Sequence, residues 1–284
     1  MIPVLSICLI TYNHEAYIRD ALNGVFMQKV NFPFELIIAD DFSTDGTRQI
    51  IKEYKDRYPE KIRLIFQEQN VGPARNWMDL ITSPVGKYIA YFEGDDFWTD
   101  PNKLQTQIDF LETHPAFVGC FHNTEERYEG DYTKASFLYC NFSGAKEHTF
   151  SDITFSNAMP TCSVIFKNYL IDKYPEFFFQ AKLGDWLLHL LNAQHGDYYY
   201  IPTVMGVHRL HMNSVWGMQD HHKNVLKIQN AYELMIDSGY FSDEHTELLK
   251  SGFEAFKTVH FPVKKSVRQT AAKRLADYLN RYSQ

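Results

Sequence analysis

Over its first 122 residues the chain alternates strand-length apolar runs with segments of helical period, and no other feature limits its possible folds as sharply. Runs at 5–12, 34–40, 62–66, 88–92 and 117–122 are separated by stretches at 16–27, 47–58, 74–81 and 103–111 that carry apolar residues at helical spacing. Such an order builds βαβ units around a parallel sheet, so the expected class is doubly wound α/β.

Beyond residue 122 the pattern is looser. Residues 123–157 show no clear period and read as a long excursion or small hairpins over the sheet. Strands are expected at 163–166 and 198–207, flanking a helix at 186–193. Three amphipathic helices should follow, carried by Val225, Ile228, Tyr232 and Met235, by Leu249, Phe253, Phe256 and Val259, and by Val267, Ala271, Leu275, Tyr278 and Tyr282. With 284 residues the chain can bury one large core and add an appendage.

Composition excludes several classes. Hydrophobic residues at 45% and charged residues at 22% are those of an ordinary globular protein. No run approaches the ~20 apolar residues of a membrane helix, and the apolar stretch at 4–10 is interrupted by Ser6, so it reads as a buried strand and not as a signal peptide. Cys8, Cys120, Cys140 and Cys162 form no CxxC pair, which argues against a zinc site and a disulfide framework and for a reducing cytoplasm. The net charge of -7 disfavours nucleic acid as a partner. The end of the chain is locally basic, with Lys264, Lys265, Arg268, Lys273, Arg274 and Arg281 against Asp277, which allows peripheral contact with an anionic inner membrane face.

Ligands of open α/β sheets bind at the carboxyl ends of strands, and three strand ends here are rich in polar groups. The first ends in Thr11, Tyr12 and Asn13; the second in Asp40 and Asp41, followed by FSTDGT; the fourth in Glu93, Gly94, Asp95 and Asp96. Each taken alone has a plain reading: a core tyrosine, a helix cap, an Asx turn. Three carboxylates within four residues repel one another unless a cation neutralises them. Mg²⁺ or Mn²⁺ does so with one or two protein carboxylates and fills the remaining positions with water and phosphate oxygens. Neither GxGxxG after the first strand nor GxxxxGK[ST] anywhere is present, so a dinucleotide fold and a P-loop are unsupported.

In this order, SICLITYN (6–13), IIADDFSTDGT (37–47), NVGPARN (70–76), YFEGDDFWTDPNKL (91–104), LGDW (183–186) and HRLH (208–211) span about three-quarters of the chain. The set resembles the family 2 nucleotide-sugar glycosyltransferases of GT-A fold. The resemblance implies a three-layer α/β/α domain over 1–217, with a nucleotide-binding half at 1–122 and an acceptor half at 123–217, followed by a helical extension at 218–284. It implies an inverting transfer from a nucleotide-diphosphate donor, UDP-linked in the first instance, to a glycan or lipid-linked acceptor of a surface polysaccharide.

Carried over by position, the resemblance assigns Tyr12 to stack on the base and Asp41 to accept a hydrogen bond from it, with Thr11 and Asn13 lining the pocket. Arg75 and Asn76 match the donor-contacting segment. Asp95 would meet ribose or metal, Asp96 would be the principal ligand of Mn²⁺ or Mg²⁺, and Glu93 stands where many members carry aspartate. Asp185 takes the place of the general base, although the same position also suits an N-cap. Arg209 would meet the diphosphate and His211 the metal or phosphate. Trp98, Trp186 and Trp216 are candidates for sugar stacking or for the core, and His221 and His222 read as solvated. A sugar nucleotidyltransferase is disfavoured, since TYNHEAY stands where a Gly-rich basic loop belongs. A noncatalytic nucleotide-sugar-binding scaffold is the alternative from outside the enzymes.

Overall fold

The structure, a computed structural model, describes residues 2–130, 134–142, 144, 146–181, 183–212 and 220–261. Trp216, the amphipathic segment at 267–282 and the basic residues from 264 onward lie outside the described residues.

Strands β1 (Leu5–Thr11), β2 (Phe34–Asp40), β3 (Ile62–Phe66) and β4 (Tyr88–Glu93) form a parallel array in the order β3-β2-β1-β4. Helices α1 (Ile18–Phe26), α2 (Thr47–Arg57), α3 (Pro73–Ile81) and α4 (Lys103–Thr113) connect or follow them. Successive side chains of a strand point to opposite faces, and here both faces are covered. Leu5, Ile7, Leu9, Leu36 and Ile38 pack with Ile18, Leu22 and Val25 of α1, Ile51 of α2 and Leu104 and Ile108 of α4. Cys8, Ile37 and Ala39 pack on the other side with Trp77 and Leu80 of α3. Each fully buried leucine or isoleucine contributes about 1.5–3 kcal/mol, which is why the strands read as unbroken apolar runs.

The second half extends the same sheet with mixed polarity. Strand β6 (Gly119–Tyr128) runs past His122, so the division of the domain into halves at 122/123 falls inside one strand. Strand β9 (Ile165–Lys167) lies antiparallel between β4 and β6. Strand β10 (Tyr198–Leu210) pairs parallel with β6 and antiparallel with the two-residue β5 (Phe97–Trp98). The middle stretch resolves into short pieces: β7 (Phe137–Leu138) on β6, β8 (Lys146–His148) on β10, and α5 (Phe150–Phe155), started by a capping box between Thr149 and Asp152. The pairing of β10 with β6 is irregular between Ile201 and Gly206. Pro202, which has no N–H for the ladder, sits in that irregularity. An irregularity of this kind re-aims a strand, and here it precedes the run 206–211 at the site.

Helices α6 (Glu176–Gln180) and α7 (Gly184–Ala193) are followed by α8 (His221–Asp237) and α9 (Asp243–His260). Tyr232 and Met235 of α8 and Leu249 of α9 share the buried cluster of Leu187 and Leu191 of α7. Val259, expected on the apolar face of α9, is exposed instead. No described helix is long and apolar enough to cross a membrane.

Candidate active site

The register of the sheet gathers the polar strand ends at one edge. Thr11 stands opposite Asp40, and Ile10 opposite Glu93. The Gly94 N–H donates to the Ile10 carbonyl at 2.9 Å. A Cβ on Gly94 would lie 2.9 Å from Thr11 Oγ1, so only glycine lets the acidic turn close over the end of β1.

On the β2 side, hydrogen bonds weld three loops into one surface. Asn13 adopts a left-handed φ of 54°. Its N–H donates to Ser43 Oγ at 2.8 Å and its Oδ1 accepts from the Thr44 N–H at 2.8 Å. Asp40 binds the Ser43 N–H and hydroxyl and the Arg48 guanidinium. Asp41 Oδ1 accepts from the Val71 N–H at 2.7 Å. Asn76 is buried, donating to the Ala39 carbonyl at 3.1 Å and accepting from Gln67 at 3.3 Å. Arg75 pairs with Asp79 at 3.0 Å on the exposed start of α3. Asn13, Asp41 and Asn76 thus build the surface, and Tyr12, 43% exposed, stands open on it.

The acidic turn is held from β10. The Arg209 N–H donates to Asp96 Oδ1 at 2.9 Å, while Asp96 Oδ2 is buried and meets no hydrogen-bond partner among the described residues. Arg209 Nη1 donates to the Asp95 carbonyl at 2.7 Å, Nη2 to Asp20 at 2.6 Å and Nε to Glu129 at 2.8 Å. Phe97 and Tyr17 lie 4.3 and 5.3 Å from the guanidinium carbon. The fork expected to meet a diphosphate is therefore engaged within the protein. Asp95 lies between two imidazoles, with His211 Nε2 2.9 Å from Oδ2 and His14 Nδ1 3.8 Å from Oδ1.

These contacts set the charges. Burial, reinforced by Asp95 against the attraction of His208, pushes Asp96 up to about 7. Burial followed by Asp95 and Asp96 raises Glu93 well above the usual carboxylate range. Burial alone would raise Asp95 as well, but His14 and His211 hold it low. For His208 burial opposes the charge, yet Asp96, Glu126 at 2.8 Å and Glu93 outweigh it and raise the ring to about 10.

No group of three or more metal-ligating side chains converges among the described residues. The chemistry still fits a cation shared with a substrate. Asp96 Oδ2 and Asp95 Oδ1 are buried oxygens lacking hydrogen-bond partners among the described residues, and Mg²⁺ or Mn²⁺ needs only one or two such donors beside phosphate oxygens.

Asp185 is the second residue of α7, behind an N-cap at Leu183, and makes no side-chain cap there. Its Oδ2 accepts from Asn157 Nδ2 at 3.0 Å and from Thr161 Oγ1 at 3.4 Å. Trp98 and Trp186 are buried, their indole N–H groups donating to the carbonyls of Cys162 and Ile153 at 2.8 Å each, which places both in the core. His221 and His222 are exposed. His14, Glu129, Asp20 and Asn157 escape a reading of the sequence. His14 alone carried a signal, its place beside Asn13.

A doubly wound sheet with an open aromatic and an acidic turn at its carboxyl edge has the organisation of a GT-A glycosyltransferase. The chain belongs to glycosyl transferase family 2, whose family model matches residues 6–172. It is 37% identical over 212 residues to an uncharacterized protein of Mycobacterium tuberculosis, covering 75% of this chain and 60% of that protein's length. Over 109 residues it is 35% identical to the putative teichuronic acid biosynthesis glycosyltransferase TuaG of Bacillus subtilis, covering 38% of this chain and 42% of TuaG. Among solved structures it resembles S. aureus TarS in complex with UDP, with a TM-score of 0.64 at 18% identity over 96% of this chain and 79% of the other, a likeness of fold.

Proposed function

We propose that this protein is a metal-dependent, inverting glycosyltransferase that moves a sugar from a nucleotide-diphosphate donor to a hydroxyl of a glycan or lipid-linked acceptor in surface polysaccharide assembly. UDP is the first nucleotide to test, since the similar TarS binds it. Tyr12 stacks on the base; Asp41, whose carboxylate has acceptor capacity beyond the Val71 N–H, takes a base N–H; Thr11 and Asn13 shape the pocket. Arg75 turns from Asp79 to the phosphates, and Asn76 keeps the start of α3 against β2. Arg209 acts by fixing the acidic turn and His211 by orienting Asp95.

Asp96 and Asp95 would hold Mn²⁺ or Mg²⁺, which when bound would supply Lewis-acid stabilisation to the departing diphosphate. Asp185 accepts the proton of the acceptor hydroxyl. The hydroxyl oxygen forms the new bond to the anomeric carbon as the bond to the diphosphate breaks on the opposite face, and a single displacement inverts the configuration.

The observation that carries this reading is the buried Oδ2 of Asp96, which meets no N–H or O–H donor among the described residues, in a carboxyl group that otherwise adjoins the weak thiol donor of Cys162. Calorimetric titration of UDP, with GDP, dTDP and CMP as controls, with and without Mn²⁺, tests it. Binding of one nucleotide that strengthens with metal is expected, and no binding under either condition overturns the reading.

A further inference from the structure

We infer that Asn157 is a positioning residue for Asp185, and that the segment 157–162 sets the base and the acidic turn at a fixed separation. The inference rests on the proposed role of Asp185 as the base. Both hydrogen bonds that the Asp185 carboxylate makes among the described residues fall on Oδ2, from Asn157 at 3.0 Å and Thr161 at 3.4 Å. Oδ1 accepts neither of them and is the oxygen assigned to the substrate proton.

The backbone of Asp185 needs no such help. Helix α7 is anchored by buried Leu187, Leu188, Leu190 and Leu191 and by the Trp186 indole on the Ile153 carbonyl. What remains free is rotation of the carboxylate about its own side-chain bonds. A rotation that displaces the accepting oxygen by about 1 Å loses on the order of 100-fold in rate, because proton transfer needs a near-attack geometry. Asn157 is suited to prevent it. Its amide orientation is determined, since a carboxylate only accepts and Nδ2 must therefore face Asp185. Its Oδ1 accepts from the Met159 N–H at 3.4 Å, its main-chain carbonyl accepts from the Tyr139 hydroxyl at 3.4 Å, and the segment enters the core at Met159.

The far end of the segment reaches the acidic turn. The Cys162 carbonyl accepts from the Trp98 indole at 2.8 Å, the Ser163 carbonyl from Gln107 at 2.9 Å, and the Cys162 side chain adjoins Asp96. Asn157, partly exposed, contributes little to the core itself. Its side chain is built toward the carboxylate of Asp185, and the polypeptide that carries it also touches Asp96.

The test measures nucleoside diphosphate release from a panel of UDP-, GDP- and dTDP-sugars with Mn²⁺, with water taking the place of the acceptor hydroxyl and the sugar leaving as the free hydrolysed sugar, together with nucleotide affinity by calorimetry, for wild type, Asp185→Asn, Asn157→Ala, Asn157→Asp and Thr161→Val. Asp185→Asn should abolish release and retain nucleotide binding. Asn157→Ala should lower kcat by about 10–100-fold with donor KM and nucleotide Kd unchanged. Asn157→Asp should lower it further, because an isosteric anion replaces the N–H donor. Thr161→Val should give a smaller loss of the same kind, and Asn157→Ala should add nothing to Asp185→Asn. If Asp185→Asn turns over near normally, or wild type releases nothing from the panel, the reading of the base fails and this inference with it. If Asp185→Asn is inactive but both Asn157 variants keep wild-type kcat, the inference alone fails. Parallel loss of nucleotide affinity in the Asn157 variants would also overturn it, by showing a merely structural role.

Discussion

Asp96 and Arg209 meet at the centre of the site through the Arg209 main-chain N–H, which donates to Asp96 Oδ1 at 2.9 Å and leaves Oδ2 without a hydrogen-bond partner among the described residues. One oxygen is oriented by the end of β10 and the other stays available to a cation. Asp96→Asn keeps the acceptor for the Arg209 N–H and removes the charge. The expected outcome is an intact fold in which Mn²⁺ no longer strengthens nucleotide binding, with a loss of about 10–100-fold in metal-dependent affinity. Titration of UDP with and without Mn²⁺ checks it, and an undiminished metal effect would remove Asp96 from the ligand set.

Tyr12 projects from the end of β1 with 43% of its surface exposed, and its ring is not needed by the core. Tyr12→Ala should weaken nucleotide binding by about 1–3 kcal/mol, the range for an aromatic on a base, equally with and without metal. Melting temperature should stay within a degree or so of wild type. An unchanged Kd would place the base elsewhere.

Lys103 is fully buried beneath Trp98, its Nζ 4.0 Å from the ring centroid and without a hydrogen-bond partner among the described residues. Burial, only weakly opposed by Cys162 and Cys120, pulls its pKa down from 10.5 to about 7. The unfolded chain therefore binds the extra proton between about pH 7 and 10.5, and stability rises with pH across that window. Below about pH 7 both states are protonated and the penalty is constant. Lys103→Met should stabilise the protein by on the order of 1–3 kcal/mol at pH 7, and the advantage should shrink as pH climbs. Urea denaturation from pH 6.5 to about 9.5 measures the gap; a pH-independent gap contradicts the assignment.

Gly252 lets α9 lie against α5. A Cβ there would sit 2.4 Å from Thr154 Cγ2 and 2.9 Å from the Thr154 carbonyl, beside the Tyr232 hydroxyl that donates to the same carbonyl. Gly252→Ala should destabilise by about 1–3 kcal/mol through overpacking, despite the higher helix propensity of alanine. Chemical denaturation decides it, and a stabilised variant would show that the helices separate freely.

The sequence by itself determined the α/β class and placed β1 to β4 and α1 to α4 to within two residues at each end. Period and turn chemistry are local, and β1 to β4 are covered on both faces, so their apolar runs are unmistakable. It also showed which strand ends carry Thr11, Asp40, Asp41 and the acidic turn, because chain order in a parallel sheet puts consecutive carboxyl ends on one edge. The tertiary structure decided the rest. Strands of two or three residues, such as β5 and β9, have too few side chains to show a period and exist only because β10, β4 and β6 offer edges to pair with. The partners of the polar groups were equally invisible. Arg209 fills its fork with Asp20, Glu129 and the Asp95 carbonyl, Asp95 lies between His14 and His211, and Asp185 is held by Asn157. Each joins residues far apart in the chain, and hydrogen bonding over such separations is set by how layers pack and where β10 bends, quantities that no local pattern of residues encodes.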